Sequence, residues 1–134
     1  MANRYKYYSE LKFGVAKVEP GPISFSDLYE FATEMRNDKR FPDMKFHLTD
    51  LRGVNFEFHL EKLSEMKELL EKFDTGSTGK IGVYLVDLPN ETAFIHFFLN
   101  ALVRNRDYCI SVEKAYEILD LPVSLEEFKK IIVI

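Results

Sequence analysis

The stretch that decides the fold is Lys45-Phe46-His47-Leu48-Thr49-Asp50-Leu51-Arg52-Gly53-Val54-Asn55-Phe56. Its first half places Phe46 and Leu48 on one face of an extended segment, and a strongly amphipathic segment follows Phe56 almost at once. A strand that feeds a helix through a short loop is the central unit of an α/β fold.

The segments on either side of this unit alternate between strand and helix patterns. Residues 5–8 and 11–18 predict two antiparallel strands, the second with Leu11, Phe13 and Val15 on its better-buried face. The capping box at 24–27 starts a helix whose apolar stripe is Leu28, Phe31, Ala32 and Met35. The later predicted elements are strand 44–49, helix 59–73, strand 81–86, helix 91–103, strand 108–110, helix 112–119 capped by Ser111, and a last helix from Ser124 to near Ile131.

This order, β-β-α-β-α-β-α-β-α, predicts a single α/β domain over residues 1–134. Strands joined by helical crossovers pair in parallel through right-handed connections. Because residues 81–86 are almost all apolar, we expect a central strand that is covered on both faces and runs parallel to strand 44–49. The expected architecture is a single mixed, mostly parallel sheet of about five strands flanked by helices.

Composition excludes several classes of protein. The chain has 134 residues and a net charge of −4, which argues against binding nucleic acid through phosphate neutralisation. A single cysteine, Cys109, allows no internal disulfide and no cysteine-rich metal site. The N-terminus lacks the apolar run of a signal peptide, and no apolar stretch is long enough for stable membrane insertion. We expect a cytoplasmic protein.

The segments that resemble cofactor or metal sites do not have the residue spacing that such sites require. Gly76-Ser77-Thr78-Gly79-Lys80 is shorter than a phosphate-binding loop, follows a predicted helix and opens a strand, whereas such a loop follows a strand and opens a helix. His47, His59 and His96 are far apart and lack the spacing of metal ligands. The sequence therefore predicts no cofactor and no metal.

Polar side chains follow two of the predicted strands. Asp50, Arg52 and Asn55 come after the first of them, and Asp87 and Asn90 come after the next. Ligands and partners of open parallel sheets tend to meet the edge formed by the carboxyl ends of the strands, so these residues are candidates for binding. The alternative is structural: Asp50 caps a turn and pairs with Arg52, and Asn90 caps its helix.

The predicted helix 91–103 has an apolar arc wider than one packed face requires. Phe94 and Phe98 lie on its core face, and Phe97 lies on the opposite flank beside His96. One interpretation is a homodimer contact or the wall of an apolar pocket. The other is deep burial between the sheet and neighbouring helices.

Three motifs resemble those of the STAS domain, in particular the SpoIIAA-like group that includes anti-sigma-factor antagonists. Gly21-Pro22-Ile23-Ser24 leads into Asp27-Leu28 as in the family's entry to its first helix. The stretch 50–56, Asp-Leu-Arg-Gly-Val-Asn-Phe, is similar to the family's strand end, and 111–119 is similar to its late helix. The resemblance implies the fold and an affinity for protein partners or small apolar ligands.

The chain departs from the family where phosphorylatable members carry Asp-Ser-Ser-Gly. Those positions fall on Phe58, His59, Leu60 and Glu61, so no hydroxyl stands where phosphate would be attached. Glu57 and Glu61 would also repel a dianionic group. The resemblance therefore implies a module without the phosphorylation switch.

The first functional hypothesis is a non-catalytic STAS-like interaction or regulatory module that forms a homodimer or binds another protein. Its binding surface would be the strand-end edge around Asp50, Arg52, Asn55 and His59.

Two alternatives remain. One is a carrier of a small apolar or lipid-like ligand, with an aromatic-lined pocket near Tyr84, Phe94 and Phe97. The other is a small hydrolase-type enzyme that uses an acid or base. The residues available for that role are Asp50, Asp87 and His59.

Overall fold

The computed structural model describes residues 3–58, 60–74, 81–101 and 106–134, without the side chains at 60, 69–74, 97–101 and 106. Within these residues, seven strands form two sheets. In chain order the strands are Arg4–Tyr8 (β1), Phe13–Lys17 (β2), Gly21–Ile23 (β3), Phe46–Asp50 (β4), Val54–Phe56 (β5), Ile81–Leu85 (β6) and Arg106–Cys109 (β7). The main sheet has the order β1-β2-β4-β6-β7. β1 and β2 are antiparallel, and every other neighbouring pair in the main sheet is parallel.

The predicted fold class is confirmed: one mixed, mostly parallel sheet of five strands is flanked by helices. The predicted pairing at its centre is also correct, since β4 and β6 run in the same direction with Phe46 opposite Ile81. The structure adds a small parallel sheet of β3 and β5, in which Gly21 lies opposite Val54. This second sheet was not predicted from the sequence.

Within the described residues, five α-helices connect and cover the strands. They are Phe25–Asn37 (α1), Leu63–Asp74 (α2), Pro89–Ala101 (α3), Val112–Leu119 (α4) and Leu125–Ile131 (α5). The predicted serine caps are confirmed. Each of the hydroxyls of Ser24, Ser111 and Ser124 accepts a hydrogen bond from the backbone N–H three residues further on, the geometry that satisfies a free amide at a helix start.

Two predicted helix starts are wrong by a few residues. α2 begins at Leu63 after a 3-10 turn over Leu60–Lys62, rather than at His59, which lies outside the described residues. α3 begins at Pro89, so Asn90 lies in its first turn and does not cap it. Proline suits the first helical position because it has no backbone N–H to satisfy.

Two apolar cores lie on opposite faces of the main sheet. In β4, Leu48 packs with α4 and α5, whereas the next residue, Thr49, lies on the face covered by α1, α2 and α3. This double cover corrects one expectation: Phe13 to Ala16 of β2 are all buried, so that strand has no exposed face. Cys109 is buried in the same core as Leu48.

None of the helices within the described residues is long and apolar enough to cross a membrane. The glycine-rich motif at 76–80 lies outside the described part of the chain.

Candidate functional site

Asp50 is the centre of an ion-pair cluster at the end of β4. Its register partner across the sheet is Lys17, whose Nζ lies 3.1 Å from Asp50 Oδ2. The Arg52 guanidinium donates from Nε to Oδ1 at 3.0 Å and from Nη2 to Oδ2 at 2.8 Å, and the Arg52 backbone N–H donates to Oδ1 at 3.1 Å. The structural alternative, in which Asp50 caps a turn and pairs with Arg52, is therefore what the structure contains.

These partners keep the Asp50 carboxylate ionised. Only 3% of the residue is exposed, and burial by itself would raise the pKa of the carboxyl group. The hydrogen bonds from Arg52, together with the positive charges of Arg52 and Lys17, outweigh burial and hold the pKa of Asp50 below its usual value. A general acid at neutral pH needs a raised pKa, so this carboxyl group is poorly suited to that role.

The loop after β4 is tied to the end of β6. The Asp87 carboxylate accepts a hydrogen bond of 2.8 Å from the backbone N–H of Gly53. Gly53 has a φ of +76°, a left-handed conformation that glycine adopts without strain. The hydrogen bonds to Asp50, together with the negative charges of Asp50 and Asp87, raise the pKa of Arg52. The structure thus brings three predicted residues, Asp50, Arg52 and Asp87, together at one edge.

The other predicted site residues lie apart from this cluster or outside the description. Asn55 is exposed in β5 opposite Pro22, and Asn90 is exposed in the first turn of α3. His59 lies outside the described residues. Phe97 belongs to α3, but its side chain also lies outside them.

Glu91 is a buried polar residue that sequence reasoning missed. It is 5% exposed, and its Oε2 accepts a hydrogen bond of 2.8 Å from the backbone N–H of Phe56. This bond fastens the first turn of α3 to β5. Nothing in the local sequence distinguishes Glu91 from an ordinary acidic residue in a first helical turn, where such residues are common.

A cavity of about 60 Å³ lies between α1 and the face of the sheet. Tyr84 and Phe94, two of the residues that the sequence placed around an apolar pocket, both line it. Most of the remaining wall is apolar and comes from α1, α2, α3 and the ends of strands. The full lining consists of Val18, Leu28, Phe31, Ala32, Met35, Arg36, Thr49, Leu51, Phe56, Met66, Tyr84, Phe94 and Ile95.

Arg36 brings a positive charge to this cavity. It is 9% exposed, and its guanidinium hydrogen-bonds to the Tyr84 hydroxyl, donates to the Ala32 carbonyl at 3.5 Å and lies 5.4 Å from the centre of the Phe41 ring. Burial lowers the pKa of Arg36, but a guanidinium in a protein stays charged. Sequence reasoning missed Arg36, although its position four residues after Ala32 extends the buried stripe of α1 by one turn.

Aromatic rings close the side of the cavity formed by β5 and α3. The rings of Phe56 and Phe58 stack with their centres 4.8 Å apart, and both meet Phe94 edge-on, at 5.4 Å and 5.3 Å. Phe58 is also edge-on to Phe25 of α1 at 5.3 Å. Such pairs add to the stability gained by burial and fix the rings in place.

A polar groove of about 400 Å³ runs along the outer side of α1. Its charged lining consists of Glu19, Asp27, Glu30 and Glu34. Four carboxylates produce a negative potential that repels phosphate groups. Within the described residues no group of three or more histidine, cysteine or acidic side chains has an arrangement that would hold a metal ion.

No family model matches this chain, and neither does any curated protein or solved structure.

Proposed function

We propose that this chain is a non-catalytic binding module of the STAS-like class, without the phosphorylation switch, and that it binds a small, mainly apolar ligand in the cavity under α1. The observation that carries the proposal is the cavity itself, which is lined by Tyr84 and Phe94 and lies between the sheet and three helices. Binding sites in proteins are typically apolar cavities with a few polar groups that orient the ligand.

The size of the cavity limits the ligand. Pockets for drug-sized molecules measure roughly 300–1,000 Å³, and the cavity here measures about 60 Å³. A lipid chain would need the walls to move apart, whereas a molecule of a few heavy atoms fits the space with small adjustments of flexible side chains such as Met35 and Met66. Small ligands are therefore favoured over lipids.

Phe58 is one departure from the phosphorylation motif of the STAS resemblance. It occupies the first of the four positions that the STAS resemblance aligns with the phosphorylation motif, and its ring is buried in the aromatic cluster. In phosphorylatable members this position carries the aspartate of the motif, whereas here its side chain contributes to the apolar core. The ionised, fully paired Asp50 likewise supports a structural role over acid catalysis.

Filling the cavity is expected to abolish ligand binding. Xenon should bind in the cavity of the wild type. Ala32→Leu places a larger side chain in the cavity wall, so xenon should no longer bind to this variant. The better-filled cavity should also raise the free energy of unfolding by about 0.5–1 kcal/mol. Xenon NMR measures binding, and urea denaturation measures stability. Ala93→Leu, on an exposed position of α3, is the matched control and should leave xenon binding unchanged. Equal xenon binding by Ala32→Leu and wild type would contradict the proposed site.

A protein partner at the strand-end edge is the second candidate. The Arg52 side chain is 40% exposed although its Nε and Nη2 both donate to Asp50, and exposed Asp87 lies close enough for its charge to raise the pKa of Arg52. Fixed charges of this kind steer association and set its register. If the edge mediates homodimerisation, Arg52→Ala should weaken the dimer in light scattering. Arg40→Ala removes a similar pair with Asp38 elsewhere and should not; a strict monomer at all concentrations would exclude a homodimer.

A further inference from the structure

On the premise of the proposed function, we infer that the ligand is a small monocarboxylate whose carboxylate group pairs with Arg36 and whose short alkyl chain lies against the apolar wall of the cavity. Arg36 lines the same cavity as Leu28, Met35 and Phe94, so a cationic residue and an apolar surface border one space. An amphipathic anion is the class of molecule that complements both.

The polar groups of the cavity lie close together. Tyr84 and Thr49 are register partners on neighbouring strands and both line the cavity, and the Tyr84 hydroxyl hydrogen-bonds to the Arg36 guanidinium. The lining therefore includes three residues with polar side chains, Arg36, Thr49 and Tyr84, and is otherwise apolar. A few convergent polar groups in an apolar cavity orient a ligand by its head group.

The chemistry of these donors favours a carboxylate. A planar guanidinium matches the two oxygens of a carboxylate, and charge-assisted hydrogen bonds of this kind are about twice as strong as neutral ones. Burial raises the pKa of Tyr84, so its hydroxyl keeps its proton at neutral pH and is able to donate to an anion. A cationic ligand would instead be repelled by Arg36.

The volume favours a short chain. A cavity of about 150 Å³ is large enough for benzene, and the cavity here measures about 60 Å³. Propionate therefore suits it better than an aromatic or long-chain acid.

Three probes of equal chain length test the inference. Propionate, propan-1-ol and propylammonium are titrated into the full chain at neutral pH, and binding is followed by methyl NMR. In the wild type we expect propionate to bind at least about tenfold more tightly than propan-1-ol, and propylammonium not to bind. Equal affinity for propionate and propan-1-ol would overturn the carboxylate assignment while leaving the proposed apolar site intact. Failure of xenon and of all three probes to bind would instead contradict the proposed function.

Substituting the arginine separates its charge from its packing. Arg36→Met keeps an unbranched apolar side chain and should weaken propionate binding at least about tenfold without weakening propan-1-ol binding. Arg40→Met changes an exposed arginine near the end of the same helix and should leave both affinities unchanged. If Arg36→Met weakens both probes equally, Arg36 only shapes the cavity and the inference is wrong. If this variant does not fold, the selectivity of the wild type among the three probes decides the question.

Discussion

Asp50→Ala is expected to lower the free energy of unfolding by about 3 kcal/mol. The Asp50 side chain is 4% exposed and accepts hydrogen bonds from Lys17 and from the side chain and backbone of Arg52. Removing it leaves two cations and one backbone N–H without this acceptor, although the hydrogen bond from Gly53 to Asp87 still holds the loop that follows β4. Urea denaturation followed by circular dichroism measures the loss.

Two comparisons distinguish the ion-pair cluster from simple loss of packing. Arg52→Ala should cost only about 1 kcal/mol, because the arginine is partly exposed and Asp50 keeps Lys17. The difference in stability between wild type and Asp50→Asn should depend on pH. The pKa of Asp50 is lowered in the folded protein, so its contribution is present above the unfolded pKa of about 3.9 and is lost as pH falls through the folded pKa. A difference that stays constant from neutral to strongly acidic pH would show that the charge of Asp50 does not matter.

Gly14→Ala is expected to lower the free energy of unfolding by about 2 kcal/mol. A β-carbon at Gly14 would lie 2.7 Å and 2.8 Å from two carbons of the Tyr7 ring and 3.2 Å from His47 Nδ1. The Tyr7 ring cannot easily move away, because it is buried and its hydroxyl donates a hydrogen bond of 2.7 Å to the Met35 carbonyl. Thermal or urea denaturation measures the effect.

The cause of this loss can be isolated with two further variants. Tyr7→Leu removes the ring that the new methyl group would meet, so the double mutant should lose clearly less than the sum of the single mutants. Gly21→Ala has no heavy atom within 4 Å of its new β-carbon but a φ of +115°, so it reports backbone strain without a clash. Additive losses for Gly14→Ala and Tyr7→Leu would exclude the clash as the cause.

The fold was predictable because its main elements carry strong local patterns. The apolar segment at 81–86 and the alternation in 46–49 specify neighbouring parallel strands, and serine caps mark three helix starts. β3 and β5 escaped prediction because three-residue strands are too short to show a period. The start of α2 was missed because apolar periodicity does not distinguish the 3-10 turn at Leu60–Lys62 from an α-helix.

The candidate site was predictable only in part. Tyr84 and Phe94 were placed near an apolar pocket because they lie on a central strand and on the following helix. Arg36 was not predicted to line the pocket, because arginine is almost never buried. The partners of Glu91 and Asp87 are backbone N–H groups of the segment 53–56, and such long-range bonds leave no pattern in the sequence.

Methyl NMR of the methionine side chains tests the central claim most directly. Met35 and Met66 line the cavity. Met44 is also buried, but it lies just before the first residue of β4 and is not among the lining residues. We predict that saturating xenon or propionate shifts the methyl signals of Met35 and Met66 and leaves that of Met44 unchanged. Unchanged signals for Met35 and Met66, or a shift of Met44 as large as theirs, would contradict a ligand site under α1.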